Sequence, residues 1–407
     1  MKSGKSKLIT LFIFLGLVFG ILFGLLMPGR YEFLLPAVDL VSGLYMNALR
    51  MTIYPLVFCS LVVGIHSIGS VSATGRIGVQ SVLYFVATTL FASLLGLFLP
   101  KLLSLGSGIA IEMMDAAVEA TPFTSLLDTV QNLIPSNPVA SFANGNMLQV
   151  LVFAVIVGIA ALALGEKAEP FLKVTEAVNE ISVKIVSVVM TFTPVGVFCS
   201  IASVICANGT GTVLALGAVL LALYLTMLLY VLIVYGGIVK LIGKCPISRF
   251  SSTVMPAALN AFGTCSSSAT LPLSKRCADD LGVPNEISSL ALPLGATINM
   301  DAVSIVMSFM IVFFANACGI EVSFGMLAVV LLSNTLLSIG TPGVPGGAIA
   351  SFAALASIAG LPSGIMGVYN SVNTLCDMGA TCCNVLGDLA CSVAMERTAH
   401  PDAQSAK

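Results

Sequence analysis

Residues 373–388, NTLCDMGATCCNVLGD, decide how this chain folds. The polar residues Asn373, Asp377, Thr381, Asn384 and Asp388, with Ala380 among them, fall at offsets 0, 4, 8, 11, 15 and 7. At about 100° per residue these positions cover roughly 100° of a helix circumference, while Leu375, Met378, Cys383 and Leu386 point elsewhere. Two carboxylates on one face cannot lie against lipid, so the face must look into a site whose partners come from the rest of the chain.

The chain as a whole is built for a bilayer. Of 407 residues 57% are hydrophobic and only 9% charged, against roughly 25% charged in a soluble domain. Residues 8–27 form an uncharged run behind Lys2, Lys5 and Lys7; it is too long for the apolar core of a signal peptide and reads as a retained helix. A net charge of −2 leaves no basic stripe for a nucleic-acid partner. The eleven cysteines show no paired metal-ligand spacing, and Cys59, Cys199, Cys206, Cys318 and Cys391 sit in or beside apolar runs. There a thiol acts as a small hydrophobe and no disulfide framework is expected. His66 and His400 are far from the polar face in sequence.

In chain order the expected spans are 8–27, 40–65, 78–105, 147–164, 176–207 and 212–242. Residues 250–265 are then too short to cross and run into Ser266, Ser267 and Ser268, so this segment should enter, turn and leave by Lys275 and Arg276. A second such hairpin enters over 325–339, breaks at GTPGVPGG (340–347) and leaves over 348–361. Spans 285–316 and 364–397 follow the two hairpins. With both termini cytoplasmic, the inner side holds Lys2, Lys5, Lys7, Arg76, Lys167, Lys173, Lys184, Lys240, Lys244, Arg249, Lys275, Arg276, Arg397 and Lys407, or 14 of the 17 basic residues. Arg30 and Lys101 fall outside and Arg50 within a span. This topology opens the first hairpin to the cytoplasm and the second to the exterior, an inverted pair with tips near mid-membrane. Glu112, Asp115, Glu119 and Asp128, in the stretch 106–145, read as a solvated outer loop.

The chemistry concentrates after residue 264. In LPLGATINMDAV (292–303), Thr297, Asn299 and Asp301 are spaced by two, a pattern that shares one side only on an extended stretch. Pro293 and Gly295 make such a break plausible, and unwound backbone frees carbonyls that, with carboxylates, are the hard ligands of a small cation such as sodium. Asp301 and Asp388 are the expected cation ligands, supported by Asn299, Asn384 and the carbonyls of Gly295 and Thr297. A lone Asn that only hydrogen-bonds between helices is the plainer reading; two intramembrane Asp beside broken backbone are not. At the first hairpin tip, the N–H groups of Ser267 and Ser268 open a helix and can meet an anion such as a carboxylate. A serine nucleophile would need a base that the sequence does not place nearby, and close helix packing by small residues is the other alternative.

SSSATLP (266–272), PLGATINMD (293–301), SIGTPGVPGG (338–347) and DMGATCCNVLGD (377–388) together resemble, in order and spacing, the dicarboxylate/amino acid:cation symporter family of glutamate transporters and neutral amino acid exchangers. The resemblance runs from the first span to the last. It implies an all-α polytopic protein of eight transmembrane helices and two re-entrant hairpins, arranged as inverted repeats. It further implies a homotrimeric elevator: 1–242 mainly scaffold, with spans 3 and 6 joining the moving part, 243–397 the transport core, and 398–407 a cytoplasmic tail. By the same resemblance a first sodium site uses the Gly295 carbonyl, Asn299, the Asn384 carbonyl and Asp388. A second uses carbonyls of Thr297, Ser338, Ile339 and Thr341, and a third uses Asp301 and Asn299 with Thr88, Thr89 and the Phe85 carbonyl. Asp377, with Thr381 and the carbonyls of Cys265 and Val344, would hold a substrate ammonium; Ser267 and Asn384 would hold its α-carboxylate.

This chain departs from the acidic-substrate carriers of that family at two positions: Ala380 stands where they have arginine, and Val303 where they have threonine. A side-chain carboxylate would then be buried unpaired, at a cost of several kcal/mol. The expected cargo is a small neutral amino acid such as alanine, serine, threonine or cysteine, moved with sodium across an inner or plasma membrane, with no enzymatic step. An acidic-substrate carrier using another selectivity residue, or a channel-like or sensor protein of the same fold, are the alternatives.

Overall fold

The computed structural model describes residues 2–26, 32–73, 76–107, 134–208 and 210–399. The four acidic residues assigned to the outer loop, and Arg30, His400 and Lys407, lie outside them. The described elements are all helical.

Helix α1 covers Lys2–Leu26. The expected second span is instead two helices, α2 (Leu35–Arg50) and α3 (Ile53–Ala73), parted by a turn at Met51 and Thr52. The turn precedes Pro55, whose missing N–H and ring are tolerated only in the first turn of a new helix. Helix α4 (Arg76–Leu102) follows, then short α5 (Pro138–Ala143) and α6 (Met147–Leu164). The expected fifth span is likewise broken: α7 (Glu169–Val189) passes through a 3₁₀ turn at Met190–Phe192 into α8 (Thr193–Asn208), which opens on Pro194. Helix α9 (Thr210–Tyr230) widens into a π turn, Val231–Tyr235, before α10 (Gly236–Leu241).

Both expected hairpins form. The first pairs α11 (Ile247–Thr264) with α12 (Ser267–Leu281), joined by Cys265 in a left-handed conformation (φ 50°) and Ser266, whose hydroxyl caps α12 by accepting the Ala269 N–H. The second pairs α15 (Phe324–Gly340) with α16 (Gly347–Ile358). The two tips meet: the Ser266 hydroxyl and the Ser268 N–H both donate to the Gly343 carbonyl, at 3.1 and 3.3 Å. Between and after the hairpins lie α13 (Asn285–Ile298), α14 (Asp301–Ala317) and α17 (Ile365–Ala399).

Among the described residues, five helical stretches are long and apolar enough to cross a membrane. They divide into two kinds. In Ile77–Leu102, Met147–Ser203 and Leu214–Leu241 at most 39% of the most apolar window is buried, whereas in Asn285–Ala317 it is 100% and in Ile365–Thr398 83%. The first group turns side chains such as Leu83, Phe98, Ile159 and Leu232 outward, as lipid-facing helices do. The second group is sheathed in protein, which is why it can carry Asn, Asp and Thr. Asn334 on α15 ties this inner layer together: its amide nitrogen, with two protons to share, lies 3.0 and 2.7 Å from the hydroxyls of Ser93 and Ser308 and 2.8 Å from the Ser304 carbonyl.

Candidate functional site

The polar face of α17 is buried throughout: Asn373, Asp377, Thr381, Asn384 and Asp388 are each at most 9% exposed. It looks onto the hairpin tips and onto the interruption between α13 and α14. That interruption is shorter than the sequence pattern implies. Only Asn299 (φ −87°, ψ 82°) and Met300 (φ −110°, ψ 45°) leave the helix. Thr297 is therefore still helical, its side chain is exposed, and its hydroxyl turns back to the carbonyls of Pro293 and Leu294. It does not share a side with Asn299 and Asp301, because the spacing of two counts as extended only across two residues. The Gly295 carbonyl is not freed either, since it accepts the Asn299 N–H at 2.8 Å.

Around the break, Asn384 does three things. Its side-chain oxygen accepts the Ala302 N–H at 2.8 Å, satisfying an orphan donor at the start of α14. Its amide reaches the Met300 sulfur, and its carbonyl accepts from the Asn299 amide at 3.3 Å. The same Asn299 amide donates to Asp388 Oδ1 at 2.8 Å. Gly295 permits this approach, because a Cβ there would lie 2.3 Å from Asp388 Oδ1. Asn299 Oδ1, fully buried, has no hydrogen-bond partner. An orphaned hard oxygen beside a buried carboxylate is costly unless something positive meets it.

Asp301, also fully buried, opens α14. Its Oδ1 accepts from Thr89 at 2.6 Å; its Oδ2 accepts from Tyr230 at 3.0 Å and Tyr235 at 2.8 Å. Thr88 donates to the Phe85 carbonyl at 3.1 Å, and the Thr88 carbonyl, 2.8 Å from the Tyr230 hydroxyl, shares its single proton with Asp301. The structure thus brings Phe85, Thr88, Thr89, Asn299, Asp301, Asn384 and Asp388 into one buried network. The donor set is oxygen from carboxylates, amides and carbonyls; among the described residues no cluster of three His, Cys, Asp or Glu side chains forms. Such a set fits an alkali cation.

Ser338, Ile339 and Thr341 lie at the end of α15. The Ser338 carbonyl accepts the Thr341 N–H at 3.3 Å, and the Thr341 hydroxyl is bonded to the Leu337 carbonyl and to Ser351. Ile339 packs against Gly64 of α3.

Asp377 stands under the second hairpin tip. The Gly346 N–H donates to its Oδ2 and the Thr381 hydroxyl to its Oδ1, both at 3.2 Å. Gly346 holds φ +77°, a left-handed conformation natural to glycine. A cavity of ≈ 10 Å³, room for about one water, is lined by Cys265, Ser267, Met300, Val303, Thr341, Pro342, Gly343, Val344, Ala348, Asp377, Thr381 and Asn384. Asp377 is the one charged side chain in that lining. Ser268 is exposed and lines neither this cavity nor the next, so of the three serines the tip turns Ser267 inward. Ala380 is buried and lines neither cavity. A larger cavity, ≈ 570 Å³, runs from Asp377, Thr374 and the tips at Cys265 and Val344 to Asn179, Glu180 and Lys184 of α7.

Sequence reasoning missed Tyr230 and Tyr235. Tyrosine in an apolar helix is ordinary, and the π turn that aims this pair has no composition signature. It also missed Asn334, a single Asn in an apolar run.

A multi-pass helical membrane protein whose inner helices gather carboxylates and broken backbone around two meeting hairpins is built as a secondary transporter. The chain belongs to the Sodium:dicarboxylate symporter family, whose profile it matches over residues 9–398. It is 27% identical over 393 residues to the proton/sodium-glutamate symport protein of Geobacillus stearothermophilus, covering 95% of this chain and 93% of that one. It is 32% identical over 429 residues to the neutral amino acid transporter B(0) of Oryctolagus cuniculus, covering 94% and 79%. It is 30% identical over 403 residues to C4-dicarboxylate transport protein 1 of Pseudomonas paraeruginosa, covering 96% and 89%. These relatives are transporters, and the family couples transport to sodium.

Proposed function

We propose that the chain carries small neutral amino acids, of the alanine, serine, threonine and cysteine kind, together with sodium. The observation that carries this reading is the lining of the cavity under the hairpin tips: among the described residues it holds one carboxylate, Asp377, and no lysine or arginine. A single buried anion matches an ammonium. A substrate with a second carboxylate would bring an unpaired charge into that lining, at several kcal/mol. Val303 puts an isopropyl group into that lining where a hydroxyl would otherwise answer it, and Ala380, buried outside the lining, leaves no cation that could reach in. The relatives include carriers of both kinds at similar identity, so the lining and not the likeness carries the choice.

In this reading Asp377 and Thr381 hold the ammonium, with the carbonyls of Cys265 and Val344; Ser267 and Asn384 meet the α-carboxylate, and Ser268, exposed and with its N–H given to Gly343, takes no part. Sodium is held by Asp388, Asn299 and the Gly295 and Asn384 carbonyls, each carbonyl through the lone pair that its present hydrogen bond leaves over. A second ion uses the carbonyls of Thr297, Ser338, Ile339 and Thr341, and a third uses Asp301 and Asn299 with Thr88, Thr89 and the Phe85 carbonyl. The residues of 243–397 move as an elevator against a scaffold drawn mainly from 1–242, in a homotrimer with both termini cytoplasmic and the hairpins as inverted repeats. What the ions supply is charge compensation for Asp301 and Asp388; what this chain's residues do is orient the amino acid and exclude water under the tips.

Uptake of labelled amino acids into proteoliposomes, with sodium or choline outside, tests the reading. Sodium-dependent serine or alanine uptake that aspartate and succinate do not compete is expected. Uptake led by aspartate or a C4-dicarboxylate would overturn the substrate assignment, and equal uptake in choline would overturn sodium coupling.

A further inference from the structure

Asp301 is held by more than a cation site requires. A carboxylate oxygen accepts about two hydrogen bonds, and Oδ2 meets two hydroxyls, Tyr235 at 2.8 Å and Tyr230 at 3.0 Å, the single Tyr230 proton being shared with the Thr88 carbonyl at 2.8 Å. Oδ1 has one, from Thr89 at 2.6 Å. Each donor is itself buried: Tyr230 is 1% exposed, Tyr235 0% and Thr89 2%.

The backbone is shaped to deliver both tyrosines. Five residues along an α-helix turn through about 500°, which would leave positions 230 and 235 roughly 140° apart. The π turn at Val231–Tyr235 spreads those five residues over about one turn, so both rings come to the same side. The rings meet edge to face, centroids 5.1 Å apart at 82°. Gly387 on α17 completes the seat, since a Cβ there would lie 2.4 Å from the Tyr235 hydroxyl. A wide turn, an edge-to-face ring pair and a glycine seat all serve to place two hydroxyls on one carboxylate oxygen.

Resting on the sodium coupling proposed above, we propose that Tyr230 and Tyr235 are the exchangeable partners of Asp301. Their hydroxyls compensate the buried carboxylate while no cation is bound, and at least one of them yields its place on Oδ2 when a cation binds. They are positioning residues that set cation affinity by stabilising the cation-free form. A ligand that must displace existing partners binds more weakly by the stability of what it displaces. Removing one hydroxyl therefore tightens sodium binding, the reverse of what loss of a cation ligand does.

The test is a sodium titration of unfolding temperature on the purified full chain, with choline holding ionic strength constant. Tyr235→Phe, which keeps the ring, is compared with wild type, with Tyr230→Phe as a second variant and Asp301→Asn as background. Expected in Tyr235→Phe are a lower unfolding temperature without sodium and a sodium midpoint lowered roughly tenfold, the scale of a hydrogen bond to a charged group. The change in midpoint should vanish when Asp301→Asn is also present. Tyr230→Phe should move both quantities in the same directions if Tyr235→Phe does not fold. A raised midpoint would show that the hydroxyls are themselves cation ligands and overturn the proposal; so would an unchanged midpoint, or a change that persists beside Asp301→Asn. A wild-type protein whose unfolding temperature ignores sodium would instead overturn the sodium coupling on which the proposal rests.

Discussion

Replacing Asp377 with asparagine tests the substrate assignment most directly. The carboxylate accepts the Gly346 N–H and the Thr381 hydroxyl, each at 3.2 Å, and it is the one formal charge in the lining beneath the tips. Asparagine keeps the size and one acceptor oxygen, so a partner for Gly346 or Thr381 survives. What disappears is the charge that an ammonium would meet. Truncating one partner of a desolvated charge pair costs about 2–5 kcal/mol, or roughly 30- to 5,000-fold in Kd. Asp377→Ala also strips both donors of their acceptor, about 1–3 kcal/mol for each one left unsatisfied, and should loosen the tip itself. Titration of unfolding temperature with alanine or serine on purified protein reads the effect. The asparagine variant should lose the amino acid response and keep the sodium response. A wild-type amino acid response in Asp377→Asn would refute the assignment, and joint loss of both responses would place Asp377 among the cation ligands instead.

Asp388→Asn would set an amide against the Asn299 amide that now donates to Oδ1 at 2.8 Å, and should abolish the difference between uptake in sodium and in choline. Ala380→Arg, better combined with Val303→Thr, should raise competition by aspartate or glutamate and weaken serine uptake, because a guanidinium pairs bidentately with a carboxylate and is left unpaired by a neutral side chain; an unchanged competition profile would place selectivity elsewhere. Gly346→Ala forces a side chain into φ +77° and within 2.7 Å of the Met190 sulfur, a conformational cost of about 1–2 kcal/mol before any clash. It should weaken amino acid binding with little change in sodium affinity, measured by the same two titrations.

The polar face of α17 was legible because helical periodicity needs only sequence, and a bilayer forbids the lipid-facing alternative. The hairpins were legible from apolar runs too short to cross. The breaks at Met51 and Met190 were not, because an apolar run shows no sign of where a helix bends inside it; Pro55 and Pro194 mark these breaks only in hindsight. The spacing of Thr297, Asn299 and Asp301 misled by one residue. A period of two implies extended backbone, but the chain unwinds only over Asn299 and Met300, leaving Thr297 on the outside of α13. Tyr230 and Tyr235 could not have been found from pattern at all, since their common aim at Asp301 depends on one wide turn.

Under the proposed roles, one run of contacts joins substrate to cation. Asp377, Thr381, Asn384 and Asp388 ride on one face of a single buried helix, so none moves independently of the others. Asn384 caps the helix that begins with Asp301 and, through its carbonyl, shares the Asn299 amide with Asp388. A cation drawn to the orphaned Asn299 oxygen would fix the orientation of that amide, and with it the Asn384 side chain that faces the cavity under the tips. The tip reaches the same helix from the other side through the Gly346 N–H on Asp377, and reaches the first hairpin through Gly343. An amino acid bound beneath the tips would thus meet a helix whose side chains the cation has already oriented, and would pay less to order them. By reciprocity the cation gains the same advantage from the amino acid. That mutual gain would tie the movement of one to the movement of the other without any direct contact between them.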